Sequence, residues 1–153
     1  MKNSVSIALK SFSQIILQEN QLTDFLLLIG LAIGNWQYAV AGLIAVLAGN
    51  FWAFLLKFDE NNLKIGFYGF SSALVGIALL YCFESSMLIW LLVIIGGILA
   101  SCLQHSFYRM KIRSFTFPFV LIIWVFYFII STFQLATPST IVQWKGLVTN
   151  YPL

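Results

Sequence analysis

The chain is a succession of long apolar runs, separated by short polar connectors that hold nearly all of its charge. That pattern constrains the fold more than any single motif. Hydrophobic residues make up 61% of the chain and charged residues 8%, against about 25% charged in soluble domains. Such runs belong in a bilayer. Backbone N–H and C=O groups in hydrocarbon must bond within their own segment, so the runs read as helices. The expected fold is therefore an all-α integral membrane protein, with residues 1–153 forming a single membrane domain.

In chain order, residues 4–19 form a short mixed segment with a rough helical face of Val5, Leu9, Phe12, Ile16 and Leu17. A span needs about 20 apolar residues, so this stretch reads as a re-entrant or tilted half-helix, or as an interfacial one. Met1 to Leu17 lacks a long apolar core and a small-residue cleavage site, so no cleavable signal peptide is expected. Five transmembrane helices are expected over Leu22–Trp36, Gln37–Leu56, Ile65–Phe83, Met87–Leu103 and Phe115–Phe133. The Gly34-Asn35 break divides the first two, a polar loop from Lys57 to Lys64 precedes the third, and Glu84-Ser85-Ser86 turns into the fourth. Thr23 or Asp24 reads as the cap of the first span. Pro138 reads as the start of another partial helix reaching Trp144. Five tryptophans, at 36, 52, 90, 124 and 144, fit an interfacial belt. The net charge of +3 is a topology signal rather than a nucleic-acid footprint. Lys2, Lys10, Lys57, Lys64, Arg109, Lys111 and Arg113 share one side and only Lys145 lies opposite, so the basic side faces the cytoplasm. The plasma membrane, in a bacterium the inner membrane, is the expected location.

Within Gly66-Phe-Tyr-Gly-Phe-Ser-Ser-Ala-Leu-Val-Gly76, Gly66, Gly69, Ala73 and Gly76 repeat at helical spacing and make a smooth groove. Phe67, Phe70, Leu74 and Ile77 make a bulky ridge beside it. Close packing inside a membrane is the plain reading of the groove. A helix smooth on one side and walled by rings on the other also suits lining a narrow slot. Gly96-Gly97, midway along the fourth span, marks a point of close contact.

Enzyme signatures are missing: no Ser/His/Asp set, HExxH, phosphate loop or paired carboxylates fall within the spans. Cys82 and Cys102 lack neighbouring His or acidic residues and read as buried thiols, so no metal and no cofactor is expected. His105 reads as an interfacial residue of a basic loop. A charge at the bilayer centre costs about 2.5–3.5 kcal/mol on the insertion scale, so a charge-free interior points to a neutral cargo or to none. The uncharged polar residues at element starts are Gln14, Ser71, Ser72 and Thr116. Pro118 places Thr116 at or before the start of its helix.

At this point a resemblance becomes specific. Residues 66–76 resemble the GLYGxNGxLVG signature of the urea transporter family. Gln14-Ile-Ile-Leu-Gln-Glu-Asn-Gln-Leu-Thr23 is similar to its QVxFxNNPLTG stretch, and Thr116-Phe-Pro-Phe119 to its TLPF. All three occur in the family's order. The resemblance implies one of two inverted halves, each of five spans, with a pore between them. It implies passive movement of urea or a similar small neutral amide, with Gln14 facing the site and Thr116 supplying a hydroxyl at mid-membrane. Phe70 and Leu74 would wall the slot, and Leu17 stands where the family often has a phenylalanine. Urea is flat, neutral and donates its N–H groups in its own plane, so oxygens along its edge and apolar groups on its faces would select it. Departures from the signatures are Ser71 for asparagine, Ser72 for glycine, Gln21 for proline and Asp24 for glycine.

One half cannot enclose such a pore. The completing partner would be a second copy in an antiparallel homodimer, possibly in a trimer of such dimers, a separately encoded complementary half, or the remainder of a longer chain. The one-sided charge opposes insertion in both orientations. Two other function classes fit the same sequence: a non-transporting scaffold or inactive relic, and a channel for ammonia or water.

Overall fold

The computed structural model describes Ser11 and residues 21–112 and 115–139. Six helices lie among the described residues: α1 Gln21–Gly34, α2 Trp36–Leu55, α3 Glu60–Lys64, α4 Gly69–Cys82, α5 Met87–Arg109 and α6 Phe117–Phe133. The five apolar runs each give a helix, and α3 is a short addition within the polar loop. Only α2 and α5, of 20 and 23 residues, reach the length of a straight span among the described residues. The others are apolar but shorter, with 14 residues in α1 and α4 and 17 in α6.

Local chemistry sets most boundaries. Asn35 leaves the helical region and accepts from Gln37 N at 2.9 Å, capping α2. Asp59 caps α3 by accepting from Asn61 N and Asn62 N. Ser86 caps α5, and Pro118 occupies the first turn of α6 after Thr116. Thr23 and Asp24, expected as caps, already lie inside α1.

Three further boundaries depart from the sequence reading. The third span does not begin at Ile65, because residues 65–68 form turns and Gly66 takes a φ of 81°, which only glycine enters without strain. Gly66 therefore drops out of the groove. The helix after Met87 runs on to Arg109, so His105 is a helical residue rather than a loop one. Pro138 starts no helix at its own position. It pairs as an isolated bridge with Phe83, while Ser139 N bonds Cys82 O at 2.9 Å and Glu84 N bonds Thr137 O at 3.0 Å. The chain after α6 is thus strapped across the α4–α5 corner. Trp144 lies outside the described residues.

Helices α2, α4 and α5 form the centre, and glycines let their backbones meet. A Cβ on Gly76 of α4 would stand 2.5 Å from Ala41 O of α2, and one on Gly97 of α5 would stand 2.5 Å from Ala45 O. On the outer side, α6 packs through Ile122, Phe126 and Ile130, with Phe126 against Gly96. Leu27, Leu28 and Leu31 of α1 lean on Val46 and Ala73. Trp36 and Trp124 remain largely exposed, as residues facing lipid or the interface do. Cys82 and Cys102 are free and half-buried.

Candidate functional site

Helix α4 shows two contrasting faces. Gly69, Phe70, Ser71, Ser72, Ala73, Val75, Gly76, Leu79 and Leu80 are buried. The hydroxyls on this face are fully engaged. Ser72 Oγ donates to Gly97 O at 2.7 Å and lies 3.0 Å from Ser101 Oγ, and Ser101 Oγ donates to Tyr68 O at 3.2 Å. Ser71 Oγ donates to Gln104 Oε1 at 3.1 Å. Ser71 and Ser72 therefore tie α4 to α5. The small residues do what small stripes do in membranes, and hydrogen bonds add to the helix contact.

The bulky ridge behaves differently. Leu74, Ile77, Ala78 and Tyr81 are only half-buried, a line at helical spacing left incompletely covered by the described residues. Phe70, one turn before Leu74, is itself buried, and its ring leans on Phe67 with centroids 6.2 Å apart. Phe70 and Leu74 thus stand one turn apart along one side of α4. Thr116 is placed elsewhere: it is the exposed residue that opens α6, making no side-chain capping bond. No described contact joins it to Phe70 or Leu74. Gln14 and Leu17 lie outside the described residues.

The ends of the bundle carry the charge. Lys57, Asp59, Glu60, Arg109 and Lys111 gather where α2 ends, α4 begins and α5 ends. That end is closed by rings. His105 stacks on Phe58 at 3.8 Å and 5°, and its Nδ1 is 3.2 Å from the hydroxyl of the fully buried Tyr68. Phe67 packs on both Tyr68 and Tyr108. Among the described residues, α2 and α4 hold no charged side chain, and α1 and α5 carry theirs near their ends, at Asp24 and Arg109, which suits an uncharged cargo.

Two polar residues escaped the sequence reading. Gln104 is 1% exposed and receives Ser71. Asn50 sits in the apolar run of α2 beside Gly69 and Ser11. A lone amide inside an apolar span is the signal that could have found both, since such groups are costly without partners.

A family model described as "Urea transporter" matches residues 5–151. Among curated proteins, the chain is 26% identical over 153 residues to "Urea transporter 1" of Ovis aries, covering 95% of this chain and 40% of that protein. The same protein of Capra hircus gives the same figures, and that of Rattus norvegicus is 25% identical over 118 residues, 72% of this chain and 31% of its own. The chain thus spans about two-fifths or less of the length of these relatives.

Proposed function

The chain belongs to the urea transporter family, and from that premise we propose that it carries urea, or a similarly small neutral amide, passively across the membrane. The cargo moves through a slot bounded on this chain by Phe70 and Leu74. The observation that carries this reading is the asymmetry of α4. Its small face is used up in contacts with α2 and α5, while the Leu74–Tyr81 line is left half-covered. A wall that packs from behind and stays open in front is what a slot requires.

Gln14, Leu17 and Thr116 complete the proposed lining. Gln14 and Thr116 offer oxygens to the in-plane N–H groups of the cargo, and Leu17 adds to the apolar faces. Such a site binds weakly enough to release its cargo, because each lost water bond is replaced singly and no charge is involved.

A second half closes the slot. Because the chain matches about two-fifths of its relatives' length, that half comes from an antiparallel second copy, possibly within a trimer of such dimers, from a complementary chain, or from further sequence. The fold becomes five spans with half-helices once a bilayer and this partner surround the shorter helices. The basic end bearing Lys57, Arg109 and Lys111 faces the cytoplasm. The plasma membrane, or a bacterial inner membrane, is the site of action.

One observation favours a second reading, a non-transporting scaffold: Phe70 is already 9% exposed without any partner half. Stopped-flow urea flux in proteoliposomes decides between them. Transport predicts urea flux well above that of empty vesicles, lowered by Gln14→Leu and Thr116→Val and altered by Phe70→Ala. Folded, oligomeric protein that leaves vesicles as tight as empty ones establishes the scaffold. Faster water or ammonia permeation without urea flux would point to a channel for those solutes instead.

A further inference from the structure

Ser11 is fully buried, and two residues of the central bundle make its seat. Gly69 opens α4 without a side chain. A Cβ placed there would collide with the Ser11 hydroxyl and stand 2.7 Å from the Ser11 Cβ. Asn50 of α2 donates from Nδ2 to Ser11 Oγ at 3.4 Å. The Oδ1 of the same amide is buried without a partner and lies 3.0 Å from where a Gly69 Cβ would be.

Close approach of Ser11 accounts for Gly69, but packing alone does not explain Asn50. A buried oxygen left unpaired costs about 1–3 kcal/mol, and an alanine or leucine in α2 would avoid that cost. Both choices make sense if Ser11 has to be held at this point. The residue that follows Gly69 is Phe70. Its backbone N and that of Gly69 share one acceptor, Gly66 O, at 3.3 and 3.1 Å. The lead-in to Phe70 is thus a single tight turn from a left-handed glycine, and whatever presses on Gly69 moves Phe70 with it.

We infer that the Ser11–Gly69–Asn50 joint is a positioning device that fixes where the Phe70 ring stands, and thereby how wide a cargo the slot accepts. The inference rests on the reading above that Phe70 walls the slot. None of the three residues needs to touch cargo.

The test is a rescue experiment in proteoliposomes, with urea and N-methylurea flux measured side by side. Gly69→Ala pushes against Ser11 and should lower urea flux about 10-fold, the equivalent of roughly 1.4 kcal/mol at the slot. It should also change the methylurea-to-urea ratio. Adding Ser11→Gly removes the colliding atoms and should bring both readings back to within about 2-fold of wild type, the non-additivity expected of residues in contact. A ratio that stays at the wild-type value while flux falls means fewer folded channels rather than a shifted ring, and overturns the inference. So does a double variant with wild-type stability but no rescue. Should Gly69→Ala fail to fold, Ser11→Ala and Asn50→Leu test the same joint by removing atoms. Each should shift the ratio at least about 2-fold, the margin used for rescue, and unchanged ratios refute the proposal. A wild type that carries no urea removes the transport reading and this inference together, whereas a conducting wild type with an invariant ratio removes the inference alone.

Discussion

Gly97→Ala is the sharpest test of how the central helices are held. The new methyl would stand 2.5 Å from Ala45 O and 3.0 Å from Ala45 Cα, both backbone atoms that cannot rotate aside. Favourable contacts lie near about 3.5–4.0 Å, so α2 and α5 must separate by roughly 1 Å. Overpacking of this kind costs about 1–3 kcal/mol. The shift also strains the 2.7 Å bond from Ser72 Oγ to Gly97 O, and bonds between membrane helices contribute about 0.6 kcal/mol on average and up to about 1.7. Alanine returns about 1 kcal/mol of helix propensity. The balance is a loss of about 2 kcal/mol, or roughly 4–8 °C in melting temperature for a chain of this size. Gly96→Ala meets Val75 Cγ1 at 2.7 Å and Phe126 Cε2 at 2.9 Å, and because buried Val75 is held to one rotamer in its helix the substitution should also destabilise. Gly30→Ala meets nothing within 4 Å among the described residues and should keep the propensity gain of about 1 kcal/mol. Cys82 and Cys102 are free and half-buried, so a thiol-reactive fluorophore reports unfolding in detergent without added labels. If Gly97→Ala melts with Gly30→Ala, the claim of backbone contact between α2 and α5 is wrong.

Three further outcomes follow from the same geometry. Tyr68→Phe removes the 3.2 Å contact with His105 Nδ1 and should lower stability by about 0.5–1.5 kcal/mol, with His105→Ala costing more because the Phe58 stack goes too; thermal melts of both variants check the order. Gln134 ends α6 at φ 50°, so Gln134→Gly should raise stability by about 0.5–1 kcal/mol, and a lower melting point would contradict the left-handed cap. Leu74→Trp fills the half-covered side of α4 and should abolish urea flux while leaving the melting temperature near wild type, a pairing that stopped-flow and thermal assays together can refute.

Much of the architecture could be read from the order of residues. Helix starts at Asn35, Ser86 and Pro118 follow from capping and proline chemistry that acts over a few residues. The third helix start could not be read this way. Gly66 fits a helical stripe as well as Gly69 does, and only the left-handed turn at Gly66 removes it. His105 looked like a loop residue because basic neighbours follow it, but stacking on Phe58 keeps it in the helix. For the candidate site, the motif located Phe70 and Leu74, and periodicity put them on one side. The motif did not show that Ser71 and Ser72 face away from that side. Their hydroxyls look available in sequence because their partners, Gln104, Gly97 O and Ser101, come from 25 to 33 residues further on.

By itself the sequence determined the solvent this protein lives in, the apolar helices found among the described residues and the family it belongs to. Those properties depend on hydrophobic run length and on short motifs, which are local. Which face of α4 is consumed in packing, where Ser11 is held and which polar residues are already satisfied were decided only in three dimensions. Each of these depends on what stands opposite a residue, and in a bundle that neighbour comes from a distant part of the chain.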